Sequence, residues 1–495
     1  MLRRSILTAT ALAAAAALAL TACAPATTSA SEDSTVVVRL VLEPTNLDIR
    51  QTAGSALDQI LMDNVYQGLV SRTPDQQIEP ALASEWTVSD DALSYTFTVR
   101  DGVTFQDGQQ LTPDDVVWSL TQHRDNAGWA DADTLSHVTS ITADGQDVTL
   151  TLDQPDSQLL WNLSGRAGVV LKEGDTVDYQ TAANGTGPFT LTSWTQGDSI
   201  TLDRYDGYWG DAAAASEVVF DYIPDNQAAL SAAQAGELDV VTGFDATLKD
   251  QIEAGGDFTL ELGASTDKGT LAFNQTSGPL ADQRVRQAIR QAIDHEAIVT
   301  ALGAGQTLYG PIPSLDPGYE DLSDVAPYDP DAAAALLADA GYSSLDLTLK
   351  IPNIYPATLS QLLVSDLAAV GITLTVDSVD FTTWLNDVYT NHDYELSFVL
   401  HTEARDFENW ADPDYYFTYD DAQVQSLYQQ AIAATSDTEA ASLLAQAARI
   451  VSEDDAADWL YQGASVVAVA SDVTGMPTVN VNERLDVTKL AKSDG

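Results

Sequence analysis

The chain has 495 residues, 74 of them acidic and 21 basic, for a formal net charge of −53, and a single cysteine. A field of that sign excludes nucleic acid and anionic lipid surfaces as partners and favours a solvated shell, while one cysteine excludes an internal disulfide and a multi-cysteine zinc site. The length exceeds the roughly 250–300 residues at which one hydrophobic core stops growing, so two or more lobes are expected.

The first element is a leader. Arg3 and Arg4 precede an apolar run over residues 6–20 and then Leu20-Thr21-Ala22-Cys23. The run is shorter than the ~20 residues of a spanning helix and its flanks are those of a secretory signal. The quartet resembles the lipobox of bacterial lipoproteins, which implies removal of residues 1–22 and lipidation of Cys23, with two or three acyl chains giving a stable anchor. The competing reading is a secreted protein with an incidental cysteine. Residues 23–34, rich in Ala, Thr and Ser, have nothing to bury and read as the lipidated cysteine and a flexible tether.

The folded part is expected from residue 35. Residues 36–42 read as a strand, and 93–100 and 148–152 alternate at the strand period. Thr112-Pro113-Asp114-Asp115 marks a helix start, with Thr112 as N-cap, Pro113 at the first helical position and carboxylates facing the positive end of the dipole. Val285, Ala288, Ile289, Ala292 and Ile293 line one helix face. Asp329-Pro330 opens another helix, closed by Gly341. From residue 345 strands and helices alternate: strand 345–351, a helix to Val370 with Gly371 as cap, strand 372–376, a helix around Trp384 and Val388, and strand 394–400. This β-α-β-α-β order implies parallel strands joined by right-handed crossovers. Two helices follow, with stripes at Val424, Leu427, Ala431 and Ile432 and at Leu443, Leu444, Ala447, Ala448 and Val451.

Ligands bind beyond the carboxyl ends of open parallel strands. Here those ends run into Pro352-Asn353-Ile354-Tyr355-Pro356 and His401-Thr402-Glu403-Ala404-Arg405-Asp406. Tyr355, His401, Glu403, Arg405 and Asp406 are therefore expected at one edge, a mixed-charge cluster suited to a zwitterion; the competing reading is that Arg405 pairs with Asp406 or Glu403. Catalytic signatures fail at defined positions. His295-Glu296 would begin a zinc-protease helix only if Val299 were histidine, Gly303-Ala304-Gly305 and Gly185-Thr186-Gly187 lack the third glycine of a dinucleotide loop, and no Gly-Lys pair or G-x-S-x-G elbow exists. No catalytic residue, cofactor or metal is expected, and the five histidines are scattered.

Segments over nearly the whole chain resemble the family 5 extracellular solute-binding proteins of ABC importers. Val65-Tyr66-Gln67-Gly68-Leu69-Val70 resembles the family's early helix, and Val99-Arg100-Asp101-Gly102-Val103-Thr104-Phe105 with Leu111-Thr112-Pro113-Asp114-Asp115 its hairpin and helix. Gly185-Thr186-Gly187-Pro188-Phe189, Tyr208-Trp209-Gly210, Ala235-Gly236-Glu237-Leu238-Asp239, Phe273-Asn274 and Asp412-Pro413-Asp414 continue in family order. The resemblance implies an α/β, two-lobed periplasmic-binding-protein fold of class II, closing on ligand by a hinge. It places lobe I at 35–270 with an inserted subdomain at about 76–184, lobe II at 271–470, and a return to lobe I at 471–495. It implies a monomeric, non-enzymatic binding lipoprotein on the outer face of the cell membrane. Such a protein would hand peptides to permease subunits with cytoplasmic ATPases. In peptide-binding members an acidic residue after the second-lobe sheet pairs with the ligand amine, and Asp406 holds the comparable place. Arg405 would then meet a ligand carboxylate, and Tyr355 or Trp410 offer an apolar wall. Where peptide-binding members carry Gly-Trp before the aspartate, this chain has His401 to Arg405 and a longer spacer. A non-peptide solute such as a metal chelate or siderophore, and an exported hydrolase, remain the alternatives.

Overall fold

The computed structural model describes residues 34–52, 56–74, 76–276, 278–479, 481 and 484–493. The leader, Cys23 and all of the tether before Ser34 lie outside the described residues.

A ten-stranded sheet runs through the molecule. Its order is Ile372–Val379, Leu345–Pro352, Leu396–His401, Phe258–Phe273, Ala457–Ala470, Val240–Thr242, Thr35–Leu40, Glu217–Tyr222, Ser199–Arg204, Phe189–Thr195. Val36, Val38 and Leu40 are inaccessible, and each such side chain contributes about 1.5–3 kcal/mol of burial. The alternation after residue 345 is realised as read: Leu345–Pro352 pairs in parallel with both Ile372–Val379 and Leu396–His401. The helix between the first two spans Ala357–Ala369 and buries Leu359, Leu363 and Leu367, and Gly371 adopts the φ of +90° that a helix exit requires.

The two halves of the sheet share only its two long central strands, Phe258–Phe273 and Ala457–Ala470. They pair antiparallel, with register shifts between Ala264 and Lys268 and between Gly269 and Thr270. Before the first shift Ala457–Ala470 also pairs with Val240–Thr242 of the amino-terminal half; after it, Phe258–Phe273 also pairs with Leu396–His401.

A separate four-stranded antiparallel sheet, Ala83–Val88, Ser94–Val99, Asp147–Leu152 and Val138–Asp144, packs on the helix Pro113–Asp125 around Phe97, Phe105, Leu120 and Leu150. Thr112 caps that helix as expected, its Oγ1 accepting from Asp115 N at 3.3 Å while Asp115 Oδ2 accepts from Thr112 N at 2.8 Å. Residues 65–70, by contrast, are not helical. The helix there is Asp58–Leu61, and Val70 already opens the strand Val70–Arg72. Gly68 bridges Val169, and a β-carbon on it would stand 2.8 Å from Leu163 O, so close backbone contact holds this segment extended. No described helix is long and apolar enough to cross a membrane.

Candidate ligand-binding cleft

The strand Leu396–His401 ends in a cleft of about 820 Å³. One side is formed by residues 399–409, by the helical segment carrying Phe381, Trp384, Leu385 and Tyr389, and by Tyr415, Tyr416 and Tyr428. The facing side comes from Arg72 and from residues near the four-stranded sheet, including Asp131, Asp133, His137, Asp156, Gln158 and Trp161. The sides also touch. Ser157 N and Oγ donate to Ile432 O and Ala431 O, both at 2.9 Å.

Strand pairing sets the chemistry of the first side. Antiparallel register places Lys268 opposite His401. The Lys268 Nζ is buried, lies 3.2 Å from Asp406 Oδ1, and donates to Glu403 O at 2.8 Å and Thr266 O at 3.3 Å. His401 Nε2 lies 2.8 Å from the Tyr416 hydroxyl, and burial together with Lys268 pushes its imidazole down to about 4, so it is neutral at pH 7. Burial lifts the Asp406 carboxyl above the ordinary range even against the pull of Lys268. A further carboxyl, Asp316, enters from a neighbouring loop and is raised by burial to about 6. Its Oδ2 accepts from Arg405 N at 2.6 Å. That bond helps hold Arg405 at φ +57°, a left-handed conformation that costs a non-glycine residue about 1 kcal/mol or more. The turn sends the Arg405 side chain across the cleft, where Nη1 donates to Gln158 Oε1 at 3.1 Å and the guanidinium lies 4.0 Å from the Trp161 ring centroid.

The expected cluster is thus divided. His401, Glu403, Arg405 and Asp406 all line the cleft. Arg405 pairs with neither Glu403 nor Asp406 among the described residues, since Lys268 takes Asp406 and the facing side takes Arg405. Tyr355 and Trp410 do not line the cleft. The Tyr355 hydroxyl accepts from Leu400 N at 2.9 Å, and its ring meets Phe398 edge-on. Trp410 is 3 % exposed, stacked on Phe417 at 4.0 Å and edge-on to Trp459, so it belongs to the core behind the cleft.

His401, Glu403 and Asp406 each offer one ligand atom within 4.8 Å of the others, a set that a metal ion or chelate could use. Lys268 competes for the same Asp406. Away from the cleft, His295 is buried 3.2 Å from Asp458 and stacked on Tyr309, a structural role in a cluster that also holds Arg290 and Asp455.

The model for bacterial extracellular solute-binding proteins, family 5 Middle, matches residues 77–426. The chain belongs to that family. Among family relatives, heme-binding protein A of Haemophilus influenzae is 28% identical over 348 residues, covering 62% of this chain and 63% of that protein, less than two thirds of its length. The dipeptide-binding protein of Escherichia coli is 27% identical over 361 residues, covering 65% of this chain and 67% of that one. Among solved structures, the periplasmic binding protein DppA from Helicobacter pylori in complex with peptide STSA superposes with a TM-score of 0.79 at 23% identity, over 93% of this chain and 98% of the other, and shares the two-lobed fold. The family and fold are those of solute-binding proteins rather than enzymes.

Family membership sharpens what sequence reading missed. Arg72, Gln158 and Trp161 line the cleft, and Lys268 and Asp316 back Asp406 and Arg405 from behind it, all from strands and loops far from residues 399–409 in the chain. Lys268 alone carried a signal, as one of six lysines in the sequence and the one set in a long strand that becomes buried.

Proposed function

We propose that this chain is the capture component of an ABC importer, tethered by lipidated Cys23 to the outer face of the cell membrane, and that it takes short peptides into the cleft. The carrying observation is the division of charge across the cleft. Asp406 lies 3.2 Å from the single ammonium of Lys268, Glu403 offers a second carboxyl within 4.8 Å of Asp406, and Asp316 behind them feels the same ammonium, leaving a negative excess for a ligand amine. The guanidinium of Arg405 stands apart for a carboxylate. Peptide-binding relatives support the choice of solute. In this reading lobe I comprises residues 35–270 with its subdomain at 76–184, lobe II comprises 271–470, and 471–495 return to lobe I. The hinge lies at the register shifts of the two central strands. Ligand drives closure only by binding the closed form better, through contacts on both sides.

The test is native mass spectrometry of the gently purified protein, with the released ligand identified after denaturation. A ladder of short peptides is the expected result. A single defined chelate would replace peptide with the second reading, which the His401, Glu403 and Asp406 set favours. Turnover of a peptide or glycoside, lost on changing a cleft carboxylate, would restore the hydrolase alternative.

A further inference from the structure

Trp161, 8 % exposed, stands on the cleft wall beside two guanidiniums. Arg72 reaches it from the end of the strand Val70–Arg72 and Arg405 reaches it from the opposite side, and each guanidinium carbon lies 4.0 Å from the ring centroid. One indole thus serves as the stacking partner of both cations. Stacking engages the faces of the two cations and leaves their N–H edges free to donate, of which Arg405 Nη1 is taken by Gln158 Oε1. Arg72 Nε and Nη1 and Arg405 Nε are buried and have no hydrogen-bond partner among the described residues.

Acids are not scarce here. The cleft carries Asp131, Asp133 and Asp156 on the Trp161 side and Glu408 on the other, yet among the described residues none of them is ion-paired with either guanidinium. Asp63 and Asp58, whose charges reach Arg72, are ion-paired with Arg484 and Arg166, and Asp316 and Asp437 act on the Arg405 guanidinium only through their charge. Burial and the nearby Arg484 and Arg405 charges push Arg72 down to about 9. An unpaired buried donor costs free energy, and two cations facing one ring repel, so this arrangement persists most readily if a partner arrives from outside.

We propose that Arg72, Trp161 and Arg405 form a clamp for an anionic group of the captured solute, a free carboxylate, and that filling it draws the two sides of the cleft together. The inference rests on reading the cleft as the ligand site. A guanidinium N–H edge matches a carboxylate by bidentate, charge-assisted bonds, and two such edges held by one indole present donors to a single anionic group. Because Arg72 and Trp161 stand on one side and Arg405 on the other, an anion in the clamp is held better closed than open.

The experiment is titration calorimetry on the purified full chain with three probes: trialanine, trialanine amide and citrate. Trialanine is expected to bind more than about tenfold tighter than its amide, the loss of one charge-assisted contact. Arg72→Gln should bring acid and amide to within about twofold of each other, with Arg72→Lys intermediate. Arg405→Gln reads the same ratio should Arg72→Gln fail to fold. A role confined to packing would change stability and leave the ratio alone. Citrate binding that depends on Arg72, without binding of either peptide, would sink the peptide reading and leave the clamp standing. Equal affinity for acid and amide, a ratio unchanged in both glutamine variants, or no binding of either carboxylate probe overturns the clamp.

Discussion

At the scale of the residue, Asp406 carries two duties that substitution separates. Its carboxylate neutralises buried Lys268 and, in the proposed function, meets the ligand amine. Asp406→Ala should weaken peptide binding by more than about 1.4 kcal/mol, tenfold in calorimetry, if the amine contact is desolvated. It should also lower the melting temperature, because the buried ammonium loses its partner, a change that costs about 3–5 kcal/mol where burial is complete. Unchanged affinity with lowered stability would assign Asp406 to Lys268 alone. Its neighbour His401 makes a second prediction, in pH. The folded imidazole is pushed down to about 4 from an ordinary 6.5. Folding therefore releases protons, and the stability associated with His401 is present above about pH 6.5 and lost as pH falls toward 4. Asp316, raised to about 6, acts in the opposite sense over much of the same window, its contribution being lost as pH rises through 6. The two partly cancel in the wild type. His401→Gln should leave the Asp316 slope exposed, so that the variant gains melting temperature relative to wild type on acidification from pH 6.5 to 4, by several degrees on thermal scans. Parallel curves for the two proteins would show that His401 does not titrate in that window.

Elements were legible where one period governed a whole segment, and this sets the limit of what the site revealed. Thr112, Pro330, Gly341 and Gly371 mark helix ends because capping depends on residues within a few positions of each other. The parallel strands followed from alternating periods, and with them the loop holding Glu403, Arg405 and Asp406. Tyr355 and Trp410 looked the same in sequence as cleft aromatics, but the short helix Glu408–Ala411 turns Trp410 onto Phe417 and Trp459 instead. The apolar wall is supplied by another element. The helix Phe381–Trp384 widens into a π-helical turn, Leu385–Thr390, and Phe381, Leu385 and Tyr389 face the cleft 42%, 38% and 46% exposed. A π turn adds a residue to the helical ring, and such turns are often found at functional sites. Large exposed apolar side chains on a cleft wall are free to cover an apolar ligand group, at roughly 25 cal/mol per Å² removed from water. Leu385→Asp should therefore reduce affinity for trileucine more than for triserine, by about 1 kcal/mol in calorimetry, with little change in melting temperature because the side chain is already solvated. Equal losses for both peptides would deny this wall a part in selectivity.

The whole molecule turns on contacts that join distant parts of the chain, which is why no local pattern announced them. The central strands Phe258–Phe273 and Ala457–Ala470 carry the sheet from one half to the other, and the cleft is closed by Ser157 against residues 431 and 432 and by Arg405 against Gln158 and Trp161. These bonds are few and polar, so they hold the closed form only lightly without ligand, and a solute touching both sides is what tips the balance. A covalent link at the same place tests whether the halves must part for the solute to pass. Ser157 N donates to Ile432 O at 2.9 Å, which brings the two α-carbons into the ~4.4–6.8 Å range a disulfide spans. In a chain beginning at residue 35, so that Cys23 cannot compete, Ser157→Cys with Ile432→Cys should oxidise readily. Oxidised protein already holding ligand should release it far more slowly than the reduced form in exchange against labelled peptide, and oxidised empty protein should bind almost none. Exchange at one rate in both redox states would mean that the solute enters without separation of the two sides, and the hinge at the register shifts would lose its function.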